Sequence, residues 1–342
     1  MNETIEWLLE KDNPSVRYFT LRHLLERPED DQEAQATRQA IMQSEPVKSI
    51  LAAQDAEGYW VKPGPGYTPK YQSTVWQILF LAELGADGRD QQVRQGCEYL
   101  LEHAQAIHAG LSAMANATPS GAIHCLNGNL IWALTTLGYV DDERVSRAVE
   151  WLAGAITGDD FEWWYAIVPG PGFKCGANGG KPCAWGAVKS LRALAGLPSE
   201  RRSERVKKAT AMATDFLLSH DLAKADYPYT ERVSGEWFKF GFPLSYTSDV
   251  LEALFALGEA GYGRDPRLNN AIELVLSKRE ADGRWAMKHS LNGKMWADIE
   301  VKGKASKWVT LRALRATGVA WPVTGCRSRN SSRESCISGI QD

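Results

Sequence analysis

The stretch "STVWQILFLAELG" (residues 73–85) decides the fold class, because it is apolar around most of a helical circumference and ends in glycine. Three further stretches have the same form, a leucine-rich turn followed by glycine: 129–138, 187–196 and 249–258. A helix that is apolar on nearly all sides must be buried between other elements. The sequence therefore predicts a set of inner helices.

A second helix type alternates with the first. It has a basic residue, an aliphatic residue, a small residue three or four positions later and a late aliphatic pair, which together give one apolar stripe. The stretches of this outer type are 89–104, 141–156, 201–219 and 264–278. At the chain ends, the inner type recurs at 15–26 and 306–318, and the outer type at 2–10 and 37–53.

Six outer helices around six inner ones predict an all-α fold, an (α/α)6 toroid, over residues 1–320. An open helical solenoid has the same alternation and is the alternative. Residues 321–342 are rich in Ser and Arg and have no apolar period, so we expect a disordered tail. Cys326 and Cys336 lie in that tail and are not counted toward a site.

Composition narrows the classes of partner. The formal net charge is -3 and no long run of like charge occurs, so neither nucleic acid nor an anionic membrane surface is expected as a partner. No apolar run is long enough to span a bilayer and the N-terminus is acidic, which predicts a cytoplasmic protein without membrane insertion. A small-molecule substrate is the expected partner, and the oligomeric state is not predicted.

The long connections carry the unusual residues. Connections from outer to inner helices are long, and in an up-and-down ring they all lie at one end, where we expect the rim of a central pocket. These connections are dense in aromatic side chains, which suit a ligand. The predicted substrate-binding residues are Trp164, Trp185, Trp237, Phe240, Trp296, Asn129 and Lys302.

Two cysteines take matching positions in consecutive repeats. When the inner helices are aligned on their closing glycines, Cys125 and Cys183 both lie thirteen residues before the glycine, at the helix start. Asn129 and Asp249 both lie nine residues before it. Because residues four apart share a helix face, these positions are expected to be corners of one site. Cys175 and His124 are close in sequence to the two thiols.

A thiolate site is one interpretation of these cysteines. Helix N-termini stabilise anions and lower the pKa of a thiol, and zinc takes S, N and O ligands. The predicted zinc ligands are Cys125, Cys183, Cys175 and Asp249. A metal-free alternative makes Cys183 a nucleophile with His124 as its base. Plain packing of small buried thiols also explains the pattern.

Asp249 is the strongest acid candidate. It lies in "SYTSDVLEALFAL" (245–257), where an ionised group on an apolar face is costly unless it is used or paired. Pairing with a nearby Lys or Arg is the alternative to catalysis. Tyr246, three residues earlier, is a further catalytic candidate.

One short motif carries a resemblance. "AAQDAEGYW" fits QxxxGxW at Gln54, Gly58 and Trp60, and "KREADGRW" repeats Gly-x-Trp at Gly283 and Trp285. With the six helix pairs, the chain resembles the squalene cyclase and prenyltransferase repeat superfamily of α/α toroids, including a bacterial group of single-toroid proteins of uncertain activity. The resemblance implies a structural role for Gln54 and Trp60. No DxDD acid motif and no Asp-x-Cys zinc pair occurs.

These observations leave three alternative classes of function open. The first is an enzyme that acts on a hydrophobic, isoprenoid or polycyclic molecule by cyclase-like acid chemistry, with Asp249 as the acid. The second is a zinc-dependent hydrolase or lyase, since zinc on the cysteines would activate water, with a glycan as one substrate that Trp-rich loops suit. The third is a binding module without enzymatic activity.

Overall fold

The computed structural model describes residues 3–160, 169–229 and 234–318. Within them the chain forms thirteen α-helices and one two-stranded antiparallel pair, β1 (Pro169–Gly170) with β2 (Lys174–Cys175). The helices are α1 (Glu3–Leu8), α2 (Pro14–His23), α3 (Gln32–Ile41), α4 (Glu45–Ala52), α5 (Thr74–Leu84), α6 (Gln91–His103), α7 (His124–Thr136), α8 (Glu143–Thr157), α9 (Ala184–Ala195), α10 (Glu204–Leu218), α11 (Val250–Glu259), α12 (Asn269–Ser277) and α13 (Lys307–Thr317).

The predicted inner helix at 73–85 is confirmed almost to the residue. Helix α5 follows the extended N-cap Ser73, and every one of its residues is buried. It stops at Gly85, whose φ of 78° is left-handed, a conformation that glycine adopts at low cost. Full burial of α5 is what its all-round apolar surface requires.

One predicted outer helix is wrong as a single element. The stretch 37–53 is divided between α3 and α4, which are separated at Ser44, an extended residue with ψ 147°. Pro46 explains the break, because proline is accepted in the first turn of a helix but not in its interior. The outer position between α2 and α5 is therefore filled by two short helices.

The ring closes, which excludes the open solenoid. Inner helices contact one another in the order α5, α7, α9, α11, α13 and α2. The last junction is made where the Phe19 ring of α2 lies against Gly85, so tightly that a Cβ there would be 2.9 Å from the ring. The connection before α13 also contacts the connection before α5, since the Trp296 indole donates to the Gln72 carbonyl at 2.9 Å.

Gln54 and Trp60 both tie neighbouring elements together, and the Gln54 amide donates to the Gly58 carbonyl at 3.2 Å and to the Gln92 carbonyl of α6 at 3.0 Å. The Trp60 indole donates to the carbonyl of Ile50 in α4 at 2.7 Å, and its backbone N–H donates to the Thr74 hydroxyl at 3.1 Å. Trp60 thus joins the end of an outer helix to the start of the next inner helix. Trp285 makes the equivalent bonds to α12 and α13, at 2.8 and 3.0 Å.

In the described ranges, no helix has both the length and the apolar surface that crossing a membrane requires. The predicted tail 321–342, with its two cysteines, lies outside the described residues.

Candidate functional site

Five aromatic side chains form a cluster at the long-loop end of the inner helices, which we call the aromatic cup: Tyr67, Tyr71, Trp76, Trp185 and Tyr246. Trp76 is central, with ring centroids 5.1 Å from Tyr67, 5.0 Å from Tyr71 and 6.3 Å from Tyr246. Trp185 completes the cluster at 6.1 Å from Tyr246. Trp76 is buried, whereas the other four rings are partly exposed and offer a surface to a ligand.

The first long loop is tied firmly onto α5. The Trp76 indole donates to the Tyr67 carbonyl at 2.8 Å, and the Gln77 amide donates to the Tyr71 carbonyl at 3.0 Å. Tyr71 has a φ of 94°, a left-handed conformation that is costly for a residue with a side chain. Such strained residues persist where surrounding contacts hold them, and they cluster at functional sites.

Two buried polar atoms beside these rings lack partners. The Asn129 amide donates to the Ser245 carbonyl at 3.0 Å, but within the described residues its Oδ1 accepts no hydrogen bond. The Trp185 indole N–H is likewise buried and unpartnered there. Leaving a buried polar atom unsatisfied costs about 1–3 kcal/mol, so a ligand that pairs with either atom recovers that cost.

The tyrosine hydroxyls are linked to the same region. Burial, and then the nearby Tyr246, raises the pKa of Tyr71 to about 12. Tyr71 is therefore protonated at neutral pH. The exposed Lys70 ammonium lies 4.1 Å from the centre of the Tyr246 ring, a distance suited to a cation–π contact.

The three cysteines predicted to form one site affect one another's ionisation, since Cys175 and Cys125 both contribute to raising the pKa of Cys183. Their grouping into one site stays a prediction. Burial raises the pKa of Cys125 to about 11, so the helix end does not lower it as expected. Cys175 alone becomes the acidic thiol, because the hydrogen bond from Cys183 lowers its pKa to about 6.

His124 is buried at the start of α7, with its ring centroid 5.7 Å from that of Phe173. Within the described residues its Nε2 has no hydrogen-bond partner. Burial lowers the pKa of His124 to about 4, so the ring is neutral at pH 7. Its role as a base for Cys183 stays a prediction.

Asp249 is paired, which was the alternative to its catalytic role. It is the N-cap of α11, where Oδ1 accepts the Glu252 N–H at 2.8 Å. Arg312 donates to Oδ1 at 2.9 Å and to Oδ2 at 3.2 Å. Both carboxylate oxygens are therefore used in holding α11 and α13 together. The predicted acid role of Asp249 is not supported by these contacts and stays a prediction.

The four predicted zinc donors do not form one group. In the part of the chain that the structure describes, no three His, Cys, Asp or Glu side chains are placed to hold a metal ion. Asp249 is held by Arg312, and the three thiols do not themselves form such a group of three. The donor set therefore does not fit zinc as predicted.

The other predicted substrate-binding residues lie partly in the core and partly on the surface. Trp237 and Phe240 are core residues, 0% and 2% exposed, and the Trp237 indole donates to the Leu222 carbonyl. Their aromatic-dense sequence therefore fills the interior rather than the rim. Trp296 and Lys302 are exposed on the last long connection. Trp164 lies outside the described residues.

A buried ion cluster lies one helical turn below the aromatic cup and was not predicted. Lys189 donates to Glu252 at 2.8 Å, while Arg192 donates to Glu83 at 2.6 Å and to Glu252 at 3.1 Å. All four side chains are at most 8% exposed. Lys189 follows Trp185 by four residues, about one turn along α9. The sequence does carry a signal for this cluster, namely charged residues inside the otherwise apolar stretches 187–196 and 249–258.

No protein-family model matches this sequence, and no curated protein matches it significantly. Among solved structures, a protein from Actinoplanes is 15% identical with a TM-score of 0.42, covering 90% of each chain. A variant of the type II terpene cyclase MstE from Scytonema, in complex with geranylgeranyl dihydroxybenzoate (substrate), is 12% identical with a TM-score of 0.43. That match covers 94% of this chain and 99% of the other. These likenesses bear on no residue of the site, whose chemistry rests on its own contacts.

Proposed function

We propose that the protein is an enzyme that acts on a hydrophobic small molecule, of isoprenoid or polycyclic type, held in the aromatic cup. The observation that carries the proposal is the cup itself, with the unpartnered Asn129 Oδ1 and Trp185 N–H beside it. Sites for small molecules are mostly apolar and have a few placed polar groups that fix orientation.

The cup suits a specific kind of ligand. Aromatic faces bind an apolar body and stabilise positive charge that develops on it. One free acceptor and one free donor match a hydroxyl group, which both donates and accepts hydrogen bonds. A hydroxylated isoprenoid or polycyclic compound therefore satisfies both the rings and the polar atoms.

Proton transfer in this proposal involves the tyrosines first. Of the predicted catalytic residues, Tyr246 is the one whose ring lines the cup, and it lies near enough to Tyr71 to raise the pKa of that residue. Asp249 would act as an acid only with the Arg312 pair opened. The substitution Asp249→Asn separates these roles, because a positioning role costs stability and an acid role abolishes turnover in the folded protein.

Binding is tested with the full chain and a long isoprenoid alcohol, followed by quenching of tryptophan fluorescence and mass spectrometry of products. We expect Trp185→Phe, which removes only the indole N–H and some area, to weaken binding at least 10-fold. Trp7→Phe, on α1 beneath Arg284, is the matched control and should leave binding unchanged. Equal affinity in both variants would contradict the proposal.

The outcomes also separate the alternative functions. Binding without any product supports a binding module. Zinc found in stoichiometric amount by metal analysis, together with loss of turnover on chelation, supports the hydrolase or lyase instead of the cup proposal.

A further inference from the structure

Two inner helices carry the same order of side chains along one face. On α9, Trp185 is followed by Lys189 and then by Arg192, at helical spacings that keep all three on that face. On α5, Glu83 comes two turns after Trp76 on the same face. Each face therefore begins with a ring of the aromatic cup and continues to charged side chains.

These charged side chains cross the interior of the ring. Helix α7 lies between α5 and α9, yet Arg192 of α9 donates to Glu83 of α5 at 2.6 Å. The guanidinium passes over α7, since it lies 3.5 Å from the centre of the Trp132 ring. Glu252 of α11 accepts from Arg192 at 3.1 Å and from Lys189 at 2.8 Å. The buried ion cluster thus connects α5, α7, α9 and α11 through the inside of the ring.

The interior is closed at the level of this cluster. None of its four charged side chains is more than 8% exposed, so among the described residues no open channel passes beside them. On the α13 side, the Arg315 guanidinium lies 4.5 Å from the centre of the Phe255 ring of α11. A ligand chain that went deeper would have to part buried ion pairs, which leaves charges uncompensated and is strongly unfavourable.

We infer that the ion cluster is the floor of the aromatic cup and limits how much of a ligand the protein encloses. The floor is shallow, because Lys189 lies only about 6 Å beyond Trp185 along α9. The enclosed part is a compact apolar body, either a short isoprenoid segment or a small ring system, beside the hydroxyl that pairs with Asn129 and Trp185. The rest of a longer chain extends outward from the long-loop end. This inference rests on the proposed function and narrows its substrate class.

Photolabelling of the full chain tests where a long chain goes. The probe is geranylgeraniol with a diazirine at the chain end remote from the hydroxyl, and labelled residues are mapped by mass spectrometry. We expect saturable labelling of the cup or of the long connections around it, and none of Trp132 or Phe255, which lie at the floor or beyond it. Labelling of either residue that unmodified geranylgeraniol competes away would overturn the inference and leave the proposed function standing.

Chain length gives a second measurement on the unsubstituted protein. Farnesol and geranylgeraniol differ by one isoprene unit, which the floor keeps outside the cup. Their affinities should therefore differ by less than about 10-fold, whereas burying the extra unit would exceed that factor, because every buried methylene adds to the affinity. A larger gain from the longer chain would also overturn the inference.

Opening the floor is the matched change. Lys189→Ala with Glu252→Ala removes both members of one buried pair. In this variant we expect geranylgeraniol to gain at least about 10-fold over farnesol, and the photolabel to reach Trp132. Lys207→Ala with Glu204→Ala removes an exposed pair on α10 and should leave both measurements unchanged.

Failure of the proposed function and failure of this inference give different results. No saturable labelling of the cup would remove the proposed function, and the inference with it. Unchanged chain-length selectivity in a folded floor variant would overturn the inference alone. Where the floor variant does not fold, labelling and chain length in the unsubstituted protein still decide.

Discussion

Arg312 of α13 binds two other parts of the ring, Asp249 at the start of α11 and the backbone of Gly241 in the connection before it. Its guanidinium donates to both Asp249 oxygens and, at 2.7 Å, to the Gly241 carbonyl. The pair lies between α11 and α13 with side chains only 5% and 14% exposed. Removing one member of a buried pair leaves the other uncompensated, which is costlier than losing the attraction alone.

Asp249→Asn should therefore lower the free energy of unfolding by about 3 kcal/mol, measured by urea denaturation. Arg312→Met should have a cost of similar size. The double variant should be more stable than the sum of the single costs implies, because no buried charge is left alone. Additive costs would show that the two side chains act separately. A stable Asp249→Asn protein without turnover would instead restore the acid role.

Helices α7 and α9 approach each other closely at Gly128. A Cβ added there would lie 2.5 Å from the backbone carbonyl group of Lys189. We expect Gly128→Ala to destabilise the protein by about 1–3 kcal/mol, since backbone cannot yield as a side chain can. Gly258→Ala in α11 is the control, because a Cβ added there would have no neighbouring heavy atom of the described residues within 4 Å. It should be neutral or stabilising by up to about 1 kcal/mol, and thermal or urea unfolding compares the two.

The buried ion cluster gives a prediction about paired charges. Lys189→Met should cost about 3 kcal/mol, because Glu252 loses its closest cation. Adding Glu252→Leu should recover most of that cost, since the remaining pair of Arg192 and Glu83, at 2.6 Å, is balanced. Urea denaturation of the three proteins measures both effects. No recovery in the double variant would mean that Glu252 also holds Arg192 in place.

His124 predicts how stability depends on pH. Burial lowers its pKa from 6.5 to about 4, so folding favours the neutral ring. Stability from this group is complete above pH 6.5 and falls as the pH drops toward 4. Between pH 8 and pH 5 it should lose about 2 kcal/mol. His124→Gln should remove that part of the pH dependence, and equal slopes in the variant and the unsubstituted protein would contradict the assignment.

The ring is predictable from the sequence because its signal is repeated. Each inner helix has an apolar surface on nearly all sides, so the stretch 73–85 alone indicates double-sided burial, and the alternation supplies the rest. Pro46 marks the break between α3 and α4 in the sequence, although the apolar stripe of 37–53 runs across it. Because proline is not accepted in a helix interior, a new helix begins next to Pro46.

The site is less predictable, since its contacts join residues far apart in the chain. Helix periodicity places Cys125 and Cys183 at matching positions, and they do lie at the starts of α7 and α9. Helix periodicity cannot show that Arg312, 63 residues later in the chain, donates hydrogen bonds to both carboxylate oxygens of Asp249. It also cannot distinguish aromatic side chains on a rim from those in a core, and Trp237 belongs to the core.

Helix α13 is the element on which completion of the ring depends. It packs against α1, α2 and α11, and Lys307 at its start pairs with Glu10 and Asp12 near the other end of the described chain. During synthesis, a nascent chain that has not yet released α13 from the ribosome leaves apolar edges of α2 and α11 uncovered. Those edges are the surfaces that a chaperone would have to shield until α13 emerges.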